Sequence, residues 1–291
     1  MRAHTILELE QGSAEWHKVR SRSIGASDAP VIMHKSPWLT PYKLWEQKLG
    51  LRKQNEINAA MARGNAMEQE ARDCFTFKTR IPVAPKVMRH QEHEWMMASL
   101  DGIDPSYQTL VEIKCANKDD HALAKQGKVP EKYYYQLQHQ LEVTGLDHMS
   151  YFSYDGTDGV IVEVGRNTRD INEMLGAEKV FYDYMVDILM PPMTGNDYII
   201  QDSKEWRKCS EELLVVQDEL NALDRREKDL RMKLIEISDG NSSIGSGVKL
   251  LKVIRKGNIQ YNEVPELRGV NLEKYRADPV SFWKISKDKA L

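Results

Sequence analysis

Asp101, Glu112 and Lys114 are the residues whose types and spacing suit a chemical reaction. They lie in WMMASLDGIDPSYQTLVEIKC, residues 95–115. The stretch reads as a β-hairpin: Trp95 to Ile103 as one strand, a turn opened by Asp104-Pro105-Ser106, and Thr109 to Cys115 as the return strand. Alternation sends Glu112 and Lys114 to one face and Val111 and Ile113 into a core. Asp101, on the neighbouring strand, is placed to meet the first pair across the hairpin. Two carboxylates and a lysine on one face cost stability unless something binds them. A divalent metal would satisfy the acids, and a lysine beside it can hold or deprotonate a water. Asp, ten residues, then Glu-x-Lys suits metal-assisted phosphodiester hydrolysis. Taken alone, the three residues also fit the charged solvent face of an ordinary hairpin. Glu-x-Lys occurs a second time at Glu46-Gln47-Lys48. That copy lies in a helix begun by Thr40-Pro41 and stopped by Gly50, where the two side chains diverge onto a solvated face.

The elements that must position these groups follow in chain order. Residues 13–34 read as helix, turn, helix, with Ser13 as the first cap and Trp16 and Val19 on the apolar face. The second helix starts at Ser27 or Asp28. A serine at such an end can offer a hydroxyl and backbone N–H groups to an anion, and Arg20 just upstream can bind phosphate with two donors. A plain N-cap and a surface arginine account for the same residues. Residues 57–77 read as a helix whose Gly64, Glu68, Ala71 and Phe75 share a stripe. Glu68 there is a helix-surface glutamate or an acid awaiting a cation. Residues 81–94 suggest an edge strand marked by Pro82 and Pro85. A polar connection follows, carrying Lys118, Lys125, Lys128 and Lys132, either loop lysines or contacts to a phosphate backbone. Residues 131–145 form a helix stopped by Gly145, packing through Tyr134, Leu137, Leu141 and Thr144. Its Gln136, Gln138 and Gln140 fan around the axis. A second hairpin over 148–164 and an amphipathic helix over 168–189 complete an α/β layer protein with a mixed sheet.

Composition bounds the reading. The 291 residues suffice for one large domain with an appendage, or for two domains. Hydrophobic residues make up 41% and charged residues 29%, the balance of a folded soluble protein. A net charge of −3 argues against a nucleic-acid coat, although a local basic groove would still serve a DNA enzyme. No apolar run spans a membrane, and the first residues lack an apolar signal core. Cys74, Cys115 and Cys209 are scattered, which fits a reducing cytoplasm and neither a disulfide framework nor a four-cysteine cluster.

After Gly195 the character changes. Residues 203–237 read as a long charged helix. Leu213, Val216, Leu220, Leu223, Leu230, Leu234 and Ile237 fall at alternating spacings of three and four, broken at Glu227: a coiled-coil seam or one arm of a helical hairpin. SDGNSSIGSG reads as a flexible linker. A hairpin turning at Gly257-Asn258 is expected beyond it. From Ser246 onward, ten Lys/Arg face five Asp/Glu, with Tyr261, Tyr275, Phe282 and Trp283 interleaved. That composition suits nucleic acid or a small module packed with its lysines outward. The expected division is a core over 1–195 and an extension over 196–291.

Several of these stretches together, WHKVR, IGASDAP, RGNAMEQEARDCF, SLDG followed by LVEIKC, and YYYQLQHQLEVTG, resemble the lambda-exonuclease-like or YqaJ viral recombinase family of PD-(D/E)xK nucleases. The resemblance runs from about Ser13 to Ile188. It implies a PD-(D/E)xK core, a mixed central sheet flanked by helices, to which this chain adds a C-terminal helical and small β extension. It implies an Mg²⁺-dependent 5′→3′ double-strand DNA exonuclease of phage or prophage recombination, using two ions, with Mn²⁺ as a substitute. Asp101, Glu112 and the Ile113 carbonyl would be metal ligands. Lys114 would position and activate the attacking water. Glu68 would join through metal-bound water. Gln138 matches a glutamine near the metals, and Gln136 another on that helix, grouped with the DNA contacts. Arg20, Ser27 and Ser99 match positions that hold the 5′-phosphate. Family members act on duplex ends, some as ring trimers working with a single-strand annealing protein, so a homo-oligomer in the bacterial cytoplasm is expected. The alternatives are an endonuclease of the same superfamily and a non-catalytic DNA-binding recombination adaptor. The region after residue 195 has no counterpart in compact members and puts ring geometry in doubt.

Overall fold

A computed structural model of the chain describes residues 4–52, 59–115, 117–258, 260, 264–267 and 270. The chain divides into two compact units, Met1–Tyr198 and Ile199–Leu291. The first unit is built on one mixed sheet whose strands lie in the order β1-β3-β4-β5-β6-β7, with β2 added beside β4. The strands are β1 (His4–Leu7), β2 (Ile24–Gly25), β3 (Ala84–His90), β4 (Met96–Ile103), β5 (Leu110–Cys115), β6 (His148–Tyr154) and β7 (Gly159–Gly165). The helices are α1 (Ala14–Ser21), α2 (Ala29–Ile32), α3 (Pro41–Lys48), α4 (Ala59–Thr79), α5 (Lys118–Lys125), α6 (Glu131–Thr144) and α7 (Thr168–Val186).

Two layers of helix cover the sheet. On one side Ala71 and Phe75 of α4 pack on Val111, Ile113, Phe152 and Tyr154. On the other, Leu137 and Leu141 of α6 join Leu100, Ile103, Leu110 and Met149 in the main core. Strands β5 and β6 are parallel, and α5 and α6 form the crossover that parallel pairing requires. The α6 stop is Gly145 in the left-handed region, at φ 73°.

Three expectations need correction. Residues 81–94 do not form an edge strand: β3 lies between β1 and β4, and β1 takes the edge. Pro85 sits instead at a β-bulge, where Ala84 pairs with Ile103 but Lys86 pairs with Leu100. The connection after β5 contains the helix α5, capped by the Asn117 side chain. Its neighbour Lys132 is tied to Asp120 at 2.7 Å. Both faces of the hairpin are covered, so Glu112 is 1% exposed rather than on a solvent face.

The second unit contains α8 (Lys204–Ile237), β8 (Ser243–Gly245) and β9 (Val248–Leu250). The hairpin closes at Ser246-Gly247, both at positive φ (46° and 78°), the two-residue geometry that suits strand twist. The stretch read as a flexible linker thus supplies a strand. Residues 252–258 hold no regular element, so the turn expected at Gly257-Asn258 is not formed there. Tyr261, Tyr275, Phe282 and Trp283 lie outside the described residues. Among the described residues, no helix is long and apolar enough to cross a membrane.

Candidate active site

The site forms where one strand changes partners. On the side away from β3, β4 pairs with β2 only at Met96 and Met97, and with β5 only at Gly102 and Ile103. Among the described residues, Ala98 to Asp101 have no strand partner on that side. The bulge opposite Pro85 falls at this point: β4 spends Asp101 and Gly102 against one residue of β3. A bulge redirects the side chain it carries. Gly102 is required here, because a Cβ would come within 2.8 Å of Val83 and Val111. The backbone groups freed by the lost ladder are still satisfied. The Asp101 carboxylate accepts from the Ile113 N–H at 2.9 Å, and the Asp101 carbonyl accepts from Arg72 Nε at 2.8 Å.

Glu112 is held from several directions. Its Oε1 accepts from Lys114 Nζ and Gln136 Nε2, each at 2.5 Å, and its Oε2 from Gln140 Nε2 at 2.5 Å. Lys114 Nζ also lies over the Tyr133 ring, 5.1 Å from its centroid. Glu68 accepts from Arg72 Nη2 at 2.5 Å, so this arginine joins α4 to Asp101. Burial and then the Glu112 charge, with a smaller push from Glu68, raise the Asp101 carboxyl to about 8. Lys114 and the Ile113 N–H oppose that rise without cancelling it. Burial works against the Lys114 ammonium, but Glu112 and Asp101 outweigh it and hold the group above its usual range. Lys114 is therefore a charged donor.

Asp101, Glu112 and Glu68 face Lys114 and Arg72 here, three acids against two bases. The surplus acid is Asp101, whose carboxyl the other two acids push upward and one of whose oxygens has no protein donor among the described residues. A hard divalent cation would suit that deficit and the carboxylate oxygens of Asp101 and Glu112. Among the described residues, no three His, Cys, Asp or Glu side chains converge to cage an ion by themselves. Glu68, turned to Arg72, is thus an outer member of the set.

A second polar cluster lies at the other end of the open stretch, where β2 leads into the turn at Ala26–Asp28. Arg20 Nη2 donates to Ser27 Oγ at 2.6 Å. The Trp16 indole donates to Ser99 Oγ at 2.9 Å, and the Arg20 guanidinium lies over the Trp16 ring at 5.0 Å. Ser99 precedes Asp101 by two residues on β4, about 7 Å along a strand. Gly25 makes room for Arg20, since a Cβ there would stand 3.2 Å from Nη1. Beneath lies a buried ion pair. Lys48 Nζ meets Asp28 Oδ2 at 2.5 Å and donates to the carbonyls of Arg20 (3.0 Å) and Ser23 (2.8 Å). Asp28 also accepts from the Gly25 N–H at 2.8 Å and lies 3.7 Å from Arg20. Burial opposes the Asp28 charge, yet Lys48 and Arg20 hold its pKa below the usual value. Lys48 and Asp28 are not the solvated face and simple cap suggested by sequence. Their side chains are each only 6% exposed, and they fix the backbone that carries Arg20 and Ser27.

The sequence-derived residues sort accordingly. Asp101, Glu112, Lys114, Glu68 and Gln136 come together, as do Arg20, Ser27 and Ser99. Gln138 does not reach the acids: its Nε2 donates to Gly165 O at 3.0 Å and its Oε1 accepts from Asn167 N at 2.8 Å. The reason is helical periodicity, since residues two apart face opposite ways while Gln136 and Gln140, four apart, share a face. Gln140 is fully buried on Glu112.

Residues 15–147 match the family model of the YqaJ-like viral recombinase domain. The YqaJ-like segment contains both polar clusters. The chain is similar to YqaJ of Bacillus subtilis (strain 168), 24% identical over 248 residues, covering 77% of this chain and 78% of that protein. It is also similar to protein R354 of Acanthamoeba polyphaga mimivirus, 27% identical over 160 residues, 50% of this chain and 29% of that protein. Among solved structures, the alkaline exonuclease LHK-Exo of Laribacter hongkongensis shares 27% identity at a TM-score of 0.53, covering 61% of this chain and 94% of that one. LHK-Exo in complex with dAMP shares 26% identity at 0.54, with the same coverage. The YqaJ-like core has the PD-(D/E)xK exonuclease fold, a mixed sheet flanked by helices.

Proposed function

We propose that this chain is an Mg²⁺-dependent exonuclease that digests one strand of duplex DNA from its 5′ end during phage-type recombination. Its similarity to an alkaline exonuclease supports nuclease chemistry. The observation that carries the reading is the juxtaposition on β4: an acid cluster short of one positive charge, beside an Arg20–Ser27–Ser99 cluster suited to a phosphate. In the second cluster Lys48 is taken up by Asp28 and the charge of Glu178, while Arg20 lies 3.7 Å from Asp28 and stays partly exposed. A terminal 5′-phosphate would give the Arg20 guanidinium a closer anionic partner.

Asp101, Glu112 and the Ile113 carbonyl are the proposed Mg²⁺ ligands, with a second ion proposed on the side of Glu68. Bound Mg²⁺ would neutralise charge on the scissile phosphate and clamp the oxygens of an in-line displacement. Lys114, held charged, orients the attacking water by donation and stabilises developing negative charge, rather than acting as a base. Gln136 and Gln140 lock Glu112 in one rotamer, and Arg72 fixes the bulge. Arg20, Ser27 and Ser99 grip the end, so that cleavage advances from a terminus. Digestion of linear duplex with 5′-phosphate, linear duplex with 5′-hydroxyl, and closed circles, each with and without EDTA, tests the reading. Fast loss of the phosphorylated linear form, slower loss of the hydroxyl form, intact circles and complete inhibition by EDTA are expected. Cut circles or EDTA-resistant digestion would contradict it.

A further inference from the structure

The helix α8 presents an apolar row that nothing in its own unit buries. This helix of 34 residues buries none of them. Its heptad row is open: Trp206 is 57% exposed, Leu220 60%, Leu223 59%, Leu230 53% and Ile237 82%. An apolar seam of this period needs a partner helix of the same period. The flanking charges say which one. Taking Leu213, Leu220, Glu227 and Leu234 as a positions and Val216, Leu223, Leu230 and Ile237 as d positions, the g row reads Glu212, Glu219, Arg226, Lys233. The other seam-side charges are used within the helix, Glu227 with Arg231 at 2.5 Å and Asp224 with Lys228 at 2.7 Å. Among the described residues, the g row makes no ion pair. Two acids followed by two bases form a self-complementary row when reversed.

We propose that α8 pairs with α8 of a second copy of this chain, antiparallel, as a two-helix coiled coil. In that register Glu212 meets Lys233 of the second copy and Glu219 meets its Arg226, and symmetry repeats both pairs. The same register sets Trp206 against Ile237, Cys209 against Leu234, Leu213 against Leu230, and Leu220 against Leu223. Glu227 faces Val216 and keeps its own Arg231. A parallel pair fails on the same residues. It would stack Glu227 on Glu227 in the seam and set Glu219 against Asp224 and Arg226 against Arg231, like charges in each, while Glu212 and Lys233 would meet only the neutral Gln217 and Ser238. The small β8–β9 hairpin agrees with the antiparallel choice. Leu223, Leu230 and Leu234 line one groove with Val248 and Leu250, its charged lining Arg226, Arg231 and Lys249 against Glu227, which is paired with Arg231. The segment delivered there by a reversed partner is its apolar and acidic N-terminal half.

The test uses the full chain. Sedimentation equilibrium of the wild type is expected to show self-association, and mild oxidation no bond between Cys209 and Cys209 of another copy. Leu234→Cys is expected to yield an intermolecular bond from Cys209 to position 234, identified by peptide mass spectrometry. Glu219→Arg, at an exposed position that folding tolerates, is expected to weaken association on the order of tenfold, and adding Arg226→Glu to restore it. A monomer throughout the micromolar range, a Cys209–Cys209 bond, or association unchanged or strengthened by Glu219→Arg would overturn the proposal.

Discussion

Two polar clusters share the open stretch of β4, and they are built in opposite ways. Around Asp101 the acids outnumber the bases, and the excess appears as a carboxyl pushed up to about 8. Around Arg20 the acid Asp28 is held ionised by Lys48 and Arg20, and the charge of Glu178 also reaches Lys48. The first cluster calls for a cation, and the second leaves the Arg20 guanidinium 3.7 Å from Asp28 and partly exposed. A terminal phosphate and a divalent cation would complete them together, and the dinucleotide-scale distance between Ser99 and Asp101 fits one DNA end lying across both.

The sharpest way to break the comparison is to empty one side. Asp101→Ala or Lys114→Ala should lower the digestion rate of linear duplex by roughly 10³-fold or more, since each removes charge placed for the transition state. The effect should appear equally on phosphorylated and hydroxyl ends. A milder change on the opposite cluster, Arg20→Ala, should leave digestion of hydroxyl ends nearly unaltered. It should erase the preference for phosphorylated ends, a loss of about 10- to 100-fold if the charged hydrogen bonds contribute ~1.5–3 kcal/mol. Competition between the two end types reads this directly. Lys48→Met probes the support beneath: stranding Asp28 should destabilise the fold by about 3 kcal/mol or more, seen in denaturant melts, and lower end preference with it.

The Asp101 shift gives a pH signature. Its folded pKa lies above the unfolded value, so without metal the group is protonated at neutral pH, and the unfolded state binds fewer protons than the folded one between pH ~4 and ~8. Metal-free stability should therefore fall as pH rises through that window. Affinity for Mg²⁺ should climb by up to about tenfold per unit until about pH 8, where Asp101 ionises unaided. Calorimetry across pH 6.5–8.5 measures the climb, and Asp101→Asn should flatten the stability slope. The smallest expected effect separates two glutamines. Gln140→Leu, which loosens Glu112, should slow digestion by about fivefold, on the scale of one hydrogen bond. Gln138→Leu should lower the melting temperature and leave the rate unchanged.

Much of the acid cluster was legible because it depends on local order. Asp101, Glu112 and Lys114 lie on adjacent strands joined by a short turn, and strand alternation already groups the last two. The bulge was not legible. Pro85 marks a position where β3 cannot donate, and a sheet edge explains such a proline as well as a bulge does. Lys48 was misread for a different reason. Its long stem reaches from α3 to the turn at Asp28, and helix periodicity says nothing of what a neighbouring loop places at the end of that reach. The three glutamines show the converse. The i, i+4 relation of Gln136 and Gln140 was available from sequence, and applying it strictly would have favoured Gln140 over Gln138. In the second unit, the hairpin settled on Ser246-Gly247 because two residues at positive φ close it, a requirement that Gly257-Asn258 meets equally well on paper.

The central claim is that a cation completes the acid cluster. Anomalous diffraction from crystals soaked in Mn²⁺, standing in for Mg²⁺, tests it most directly. The account predicts a peak within about 2.1–2.3 Å of a carboxylate oxygen of Asp101 and one of Glu112, with the Ile113 carbonyl alongside. A peak bound only to Glu68, or no peak between Asp101 and Glu112 at saturating metal, would contradict it.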